Sequence, residues 1–198
     1  MFEERYDEAE KLFLFSIDEN NKPFPEALRP HPYTLTSYSC LASLYYLTGD
    51  ISKAEKCAKL AYQRSIEKNG ERHVYTANFA LTLGIITKDD CLIREAVNIY
   101  KDAEKGYTPD SFFAKICLSR ILTANGRDNE AREVINAVKE EYFSCYRETE
   151  LITLLLAETV EKITGQNMEE SQELYRYNDC KIYVTHSNSS HGIGIPLI

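Results

Sequence analysis

His31–Gly70 reads HPYTLTSYSCLASLYYLTGDISKAEKCAKLAYQRSIEKNG, and His73–Gly106 reads HVYTANFALTLGIITKDDCLIREAVNIYKDAEKG. The two stretches are copies of one unit. His31 recurs as His73 and Ala54 as Ala96, each 42 residues on. A fixed period of this length marks a stacked repeat, in which a unit buries its apolar face only against its neighbours. Each copy spells helix, turn, helix. Pro32 suits the first turn of a helix, which runs from about Tyr33 to Leu47. Thr48-Gly49-Asp50 makes the turn, with Gly49 just past the helix and Asp50 capping the next. The second helix runs from about Ile51 to Lys68 and stops at Asn69-Gly70. Ala54, Ala58 and Ala61 leave room for Leu41, Ala42 and Tyr45 of the first helix. In the second copy Leu83-Gly84 takes the place of Leu41-Ala42, while Ala96, Tyr100 and Ala103 follow the alanine row to a stop at Lys105-Gly106. A glycine inside a helix costs about 1 kcal/mol against alanine, so Gly84 predicts direct backbone contact between the paired helices.

Downstream, Thr108-Pro109-Asp110 starts a third unit. Its first helix is SFFAKICLSRILTA, its turn is Asn125-Gly126-Arg127-Asp128, and its second helix runs from Asn129 to about Tyr142. A fourth, degenerate unit spans about Glu148 to Tyr177 with its turn at Gly165. Glu158, Glu161 and Glu170 stand there where other units are small or apolar, as in a terminal repeat with a polar outer face. Upstream, residues 3–17 read as a helix with Tyr6, Ala9, Phe13 and Ser16 on one face, resembling the second helix of a unit without its first. Residues 18–32 carry four of the six prolines, and no helix runs through them. The last 20 residues break the helical period. Lys181–Thr185 favours an extended form, Ser187–Gly192 is loop-like, and GIGIPLI cannot be helical. The division expected is a helical repeat domain over 1–178 and an extended tail over 179–198.

Composition narrows the function. Hydrophobic residues at 43% and charged residues at 27% are the balance of an ordinary globular chain. No apolar run approaches the ~20 residues of a membrane helix, so no membrane insertion is expected. The N-terminus is acidic from residue 3, unlike a signal or transit peptide, and cytoplasmic residence is the expectation. Net charge is −8, with 10 Lys/Arg against 9 Asp/Glu over 32–106 and 6 against 12 over 127–178. That balance argues against a nucleic-acid partner, which wants a basic face. The six cysteines (Cys40, Cys57, Cys91, Cys117, Cys145, Cys180) are spread without CxxC or clustering and read as reduced, buried thiols.

No catalytic or metal pattern emerges. Cys180, His186 and His191 match no ligand spacing. Ser187, Ser189 and Ser190 lack a nucleophile elbow. Gly192-Ile-Gly194 opens no helix and is no phosphate loop. His31 and His73 sit at turns between units and read as caps, and the Glu140-Glu141 and Glu169-Glu170 pairs read as solvated. The expectation is therefore a non-enzymatic chain with no cofactor and no metal.

Tyr38, Leu41, Ala42, Tyr45, Gly49, Ala54 and Ala61, then Leu83, Gly84, Ala96, Tyr100 and Ala103, then Leu118, Gly126 and Ala131 resemble the tetratricopeptide repeat pattern. The 42-residue period and the opening His-Pro resemble the kinesin-light-chain subtype. The resemblance covers about residues 3–177. It implies an all-α, right-handed α-solenoid of about four stacked antiparallel helix pairs, with an orphan N-terminal helix and a non-helical tail. The first helix of each unit would line a concave groove that takes a peptide or a partner helix. Carried over residue by residue, the groove positions are Thr36, Ser39, Ser43 and Tyr46, then Asn78, Leu81, Ile85 and Lys88, then Phe113, Ile116 and Arg120. Tyr46, Phe113 and Arg120, standing exposed, would be the anchors, since aromatics and arginine dominate binding energetics. The partner expected is a protein or peptide. The alternatives are a self-assembling structural subunit, joined through the N-terminal helix or the tail, and an accessory domain of a larger regulator or enzyme.

Overall fold

The computed structural model describes residues 5–21, 32–103, 109–145, 150–165, 182–185 and 193–196. Among them are eight helices: α1 (Tyr6–Asn21), α2 (Pro32–Leu47), α3 (Ile51–Asn69), α4 (Val74–Thr87), α5 (Asp90–Ala103), α6 (Pro109–Ala124), α7 (Asp128–Cys145) and α8 (Glu150–Thr164). Two short strands, β1 (Ile182–Thr185) and β2 (Ile193–Pro196), pair antiparallel with Ile182 opposite Pro196. The expected end of the second unit at Lys105-Gly106 and the fourth unit beyond residue 165 lie outside the described residues, as do the 22–31 connection, His31, Cys180 and residues 186–192.

Local chemistry sets the helix ends. Gly49, Gly70, Gly126 and Gly165 all hold positive φ, between 70° and 88°, where a Cβ would be strained. Asp50 accepts from the Lys53 amide at 3.1 Å, and the His73 ring accepts from the Tyr75 amide at 3.1 Å, so both cap as their positions predicted. The α4–α5 turn departs from the pattern. It is only Lys88 and Asp89 long, and Lys88 itself adopts the left-handed conformation, φ 56° and ψ 34°. The short turn draws α5 tightly over the end of α4. A Cβ built on Gly84 would lie 2.7 Å from Ile93 Cγ1 and 2.9 Å from the Asp89 carbonyl oxygen. The close approach that Gly84 predicted is therefore present, made to the Ile93 and Leu92 side chains of α5 and to the turn's backbone.

Each unit is an antiparallel pair: α2 on α3, α4 on α5, α6 on α7. Units join through α3 on α4, α5 on α6 and α7 on α8. The first helices α2, α4, α6 and α8 also approach one another in sequence, whereas α3, α5 and α7 do not. The second helices reach each other only through long side chains, as where Tyr62 meets Glu95 at 3.4 Å and Arg94 meets Glu130 at 3.0 Å. A stack closer along one layer than the other curves toward the close layer, so the first helices form the inner side of a right-handed α-solenoid. One core cluster runs from Ala77 in α4 to Ile163 in α8. A second joins Ala42, Ala54, Ala58, Leu83 and Ile86 across the first two units. The orphan helix docks through Tyr6, Ala9, Phe13 and Ile17 onto Leu41 and Leu44, and the Tyr45 hydroxyl donates to Glu10 at 2.7 Å. Burial, with that bond second, pushes the Tyr45 phenol up to about 12. Of the described thiols, none in a disulfide, Cys117 is buried and Cys40 and Cys57 are half-buried. Cys91 is exposed, against expectation, because it falls in the first turn of α5 just after the shortened connection.

Candidate functional site

The inner layer holds the eleven candidate groove positions, and the structure sorts them by row. Thr36, Asn78 and Phe113 share one register of the three units; Ser39, Leu81 and Ile116 share the next; Ser43, Ile85 and Arg120 share a third. The Ser39 row is buried throughout. It faces sideways into the neighbouring first helix, with Ser39 Oγ 3.3 Å from Thr82 Oγ1. Ser43 donates to the Ser39 carbonyl at 3.1 Å. Thr36 is half-buried. The Asn78 side-chain oxygen accepts from the Tyr100 hydroxyl of α5, and Leu81, Ile85, Phe113 and Ile116 belong to the main core cluster. Lys88 leaves the set: it is the residue after α4, exposed, its carbonyl accepting from Asn125 Nδ2 at 3.1 Å.

The three expected anchors do not stand exposed. Tyr46 is half-buried against the cluster that joins the first two units, and that burial raises its phenol pKa. Phe113 is 3% and Arg120 8% exposed. Arg120 sends one terminal nitrogen to Glu158 of α8 at 3.1 Å, while its Nε has no hydrogen-bond partner. A helix facing an open trough keeps one stripe in water, and α4 keeps none: the eleven residues Thr76–Ile86 are buried without a break. Helices α2, α3, α5 and α6 all pack on α4, and so does a strand of the tail. Strand β2 approaches α2 and α4, and it approaches neither α3 nor α5. It therefore lies on the inner side of the first helices. Cys40, Thr82 and Cys117 share a register between the Thr36 and Ser43 rows; Thr82 turns to Ser39 of α2, and Cys117 belongs to the main core cluster. The same 42- and 35-residue offsets that located the other rows relate these three.

The outer layer carries a charge network. Arg94 and Arg127 both reach Asp90 (3.1 and 2.7 Å) and Glu130 (3.0 and 2.7 Å), tying α5 to the start of α7. Burial works to raise the Asp90 carboxyl, but the two guanidinium groups hold it below its usual range; Arg127, then Arg94, lowers Glu130. Among the described residues no group of three or more His, Cys, Asp or Glu could hold a metal ion. None of the described helices is long and apolar enough to cross a membrane.

Fold and inner layer together define a helical-repeat solenoid of the kind that presents its first helices along a curved surface. Residues 33–108 match the sequence model of the tetratricopeptide repeat family. Similar solved structures include BtubC (BKLC) from P. vanneervenii, 16% identical, TM-score 0.66, covering 82% of this chain and 67% of that one. They also include the putative kinesin light chain nearly identical TPR-like repeats of Podosopora anserina, 19% identical, TM-score 0.57, covering 81% and 80%. A variant form of the same repeats aligns with TM-score 0.59 at 19% identity, covering 81% and 79%. No curated protein sequence matches. Residues 33–108 are thus tetratricopeptide repeats by sequence, and the fold of the chain is similar to that of kinesin-light-chain-like repeat structures. The fold is that of protein-interaction scaffolds in general.

Proposed function

We propose that this chain is a non-enzymatic scaffold or adaptor that holds a peptide segment of a partner protein along the inner side of α2, α4 and α6. The observation that carries it is the seating of a chain segment on that surface: β2 lies against α2 and α4. The seat consists of Thr36, Ser43, Asn78 and Ile85 on α2 and α4, and Phe113 and Arg120 continue those two rows on α6. On α2 the argument is by direction. Ser37, Leu41 and Leu44 turn to α1, Ala42 and Tyr46 to the cluster shared with α3, and Leu35 and Ser39 toward Phe79 and Thr82 of α4. By helical register Thr36, Cys40 and Leu47 share the next side of α2, and all three are half-buried. Main-chain contacts along an extended ligand and a few apolar pockets are the recognition mode that suits such a surface. Thiols outside disulfides and the absence of a spanning helix among the described residues fit a reducing, cytoplasmic setting.

The test is affinity selection of peptides from a display library, followed by calorimetry. Thr36→Arg should weaken a selected peptide at least tenfold, and Gln63→Arg, on the exposed face of α3, should leave it unchanged. Equal affinity for both variants refutes the placement of the seat.

A second reading has its own support. Leu12 (68% exposed) and Phe15 (63%) sit one turn apart on α1, on the side away from α2. Such a face suits end-to-end association of copies. Light scattering decides: Leu12→Glu with Phe15→Glu should dissociate an oligomer, and a monomeric parent chain dismisses the reading.

A further inference from the structure

We infer that the groove of the first two units is closed by the chain's own C-terminal hairpin, and that the partner it accepts is an extended, uncharged, apolar segment of the β2 type. The inference rests on the groove reading above and adds the class of ligand and its control. Three observations meet. The strand Ile193–Pro196 lies against α2 and α4 and no other described helix. The helix it covers, α4, has no exposed stripe from Thr76 to Ile86. And residues 182–198 contain no Asp, Glu, Lys or Arg, in a chain of net charge −8.

A two-stranded hairpin alone is marginal in water, so β1–β2 needs the helices it rests on. Gly194, opposite Val184 in the ladder, marks a point where another backbone can come close. Pro196 closes the strand without offering an amide. The segment Ile-Gly-Ile-Pro gives the ligand class by its backbone and composition: an extended, apolar stretch without charge. A tethered segment acts at an effective concentration of about millimolar, so a free ligand must displace it and binds more weakly by the fraction of chains that are open.

The test uses a labelled peptide of residues 190–198 and three proteins: the intact chain, the chain ending at Lys181, and the full-length double variant Ile193→Asp, Ile195→Asp. The double variant keeps the hairpin tethered but unfit for the seat, and covers the case in which truncation impairs folding. Far-UV circular dichroism establishes that each remains helical. The inference expects the peptide to bind the double variant at least tenfold more tightly than the intact chain, and Thr36→Arg added to that variant to abolish binding. Equal binding to intact and double-variant chains overturns closure by the hairpin. If peptide 190–198 binds neither while display-selected peptides bind both, the ligand class is wrong and the groove reading survives. If no peptide of either kind binds any form, both fail. An intact chain that is dimeric, with a monomeric double variant, puts the hairpin on a second copy and overturns closure within one chain.

Discussion

Gly84→Ala isolates the packing of the second unit. Alanine at a helix interior is favoured over glycine by about 1 kcal/mol, so helix propensity alone predicts stabilisation. The structure predicts the reverse. The added Cβ would lie 2.7 Å from Ile93 Cγ1, 2.9 Å from the Asp89 carbonyl oxygen and 3.2 Å from Leu92 Cβ, against ordinary separations of about 3.5–4.0 Å between carbon atoms. The Asp89 oxygen is backbone in a two-residue turn, and Ile93 is fully buried, so neither can swing aside. Overpacking of this kind costs about 1–3 kcal/mol. Blocked at two points, the site should fall at the upper end, for a net loss of about 1–2 kcal/mol. At about 2–4 °C per kcal/mol for a chain of this size, the melting temperature should drop by about 2–8 °C. Thermal melts followed by circular dichroism, with urea titration alongside, read it. The equivalent position in the first unit is Ala42, fully buried against Ala54 and Ala58; Ala42→Gly should also destabilise, by at least about 1 kcal/mol. A Gly84→Ala chain as stable as the parent, or more so, refutes the claim that the short turn dictates this glycine.

Lys88→Gly should stabilise by about 0.5–1 kcal/mol, read by urea titration, because Lys88 holds a left-handed conformation that favours glycine. Tyr45→Phe removes the bond to Glu10 and should cost about 0.5–1.5 kcal/mol, seen as faster hydrogen exchange in α1 with α4–α7 unchanged. The carboxyls of Asp90 and Glu130 are held below their usual range by Arg94 and Arg127. A lowered folded-state pKa gives stability that is present above the unfolded value and lost as pH falls through the folded one. The melting temperature should therefore hold from pH 7 to about 5 and fall below about 4, and Arg127→Ala should flatten that fall. Thiol alkylation should take Cys91 first, and Cys117, whose thiol burial pushes up to about 12, only on unfolding.

The helical frame was legible because its punctuation is chemical. Gly49, Gly70, Gly126 and Gly165 each mark a helix end that only a positive φ completes, and Asp50 announces the cap that it makes. Lys88 was misplaced because lysine carries no turn signal. The position became a turn only because α5 starts early, at Asp90. Helical spacing alone does not choose between neighbouring rows of the first helices. A row four residues from Thr36 and one three residues from it are equally good by helical spacing, and only the Ser39–Thr82 contact shows which one faces the neighbouring unit. Burial of the inner face was not legible at all. Part of what packs on α4 is a strand from the far end of the chain, and nothing in the Thr76–Ile86 sequence refers to it.

Hydrogen exchange on the hairpin-released double variant, with and without a saturating bound peptide, tests the central claim most directly. The account predicts added protection over α2 and α4, with α3 and α5 unchanged. Protection confined to the second helices, or none on α4, would contradict it.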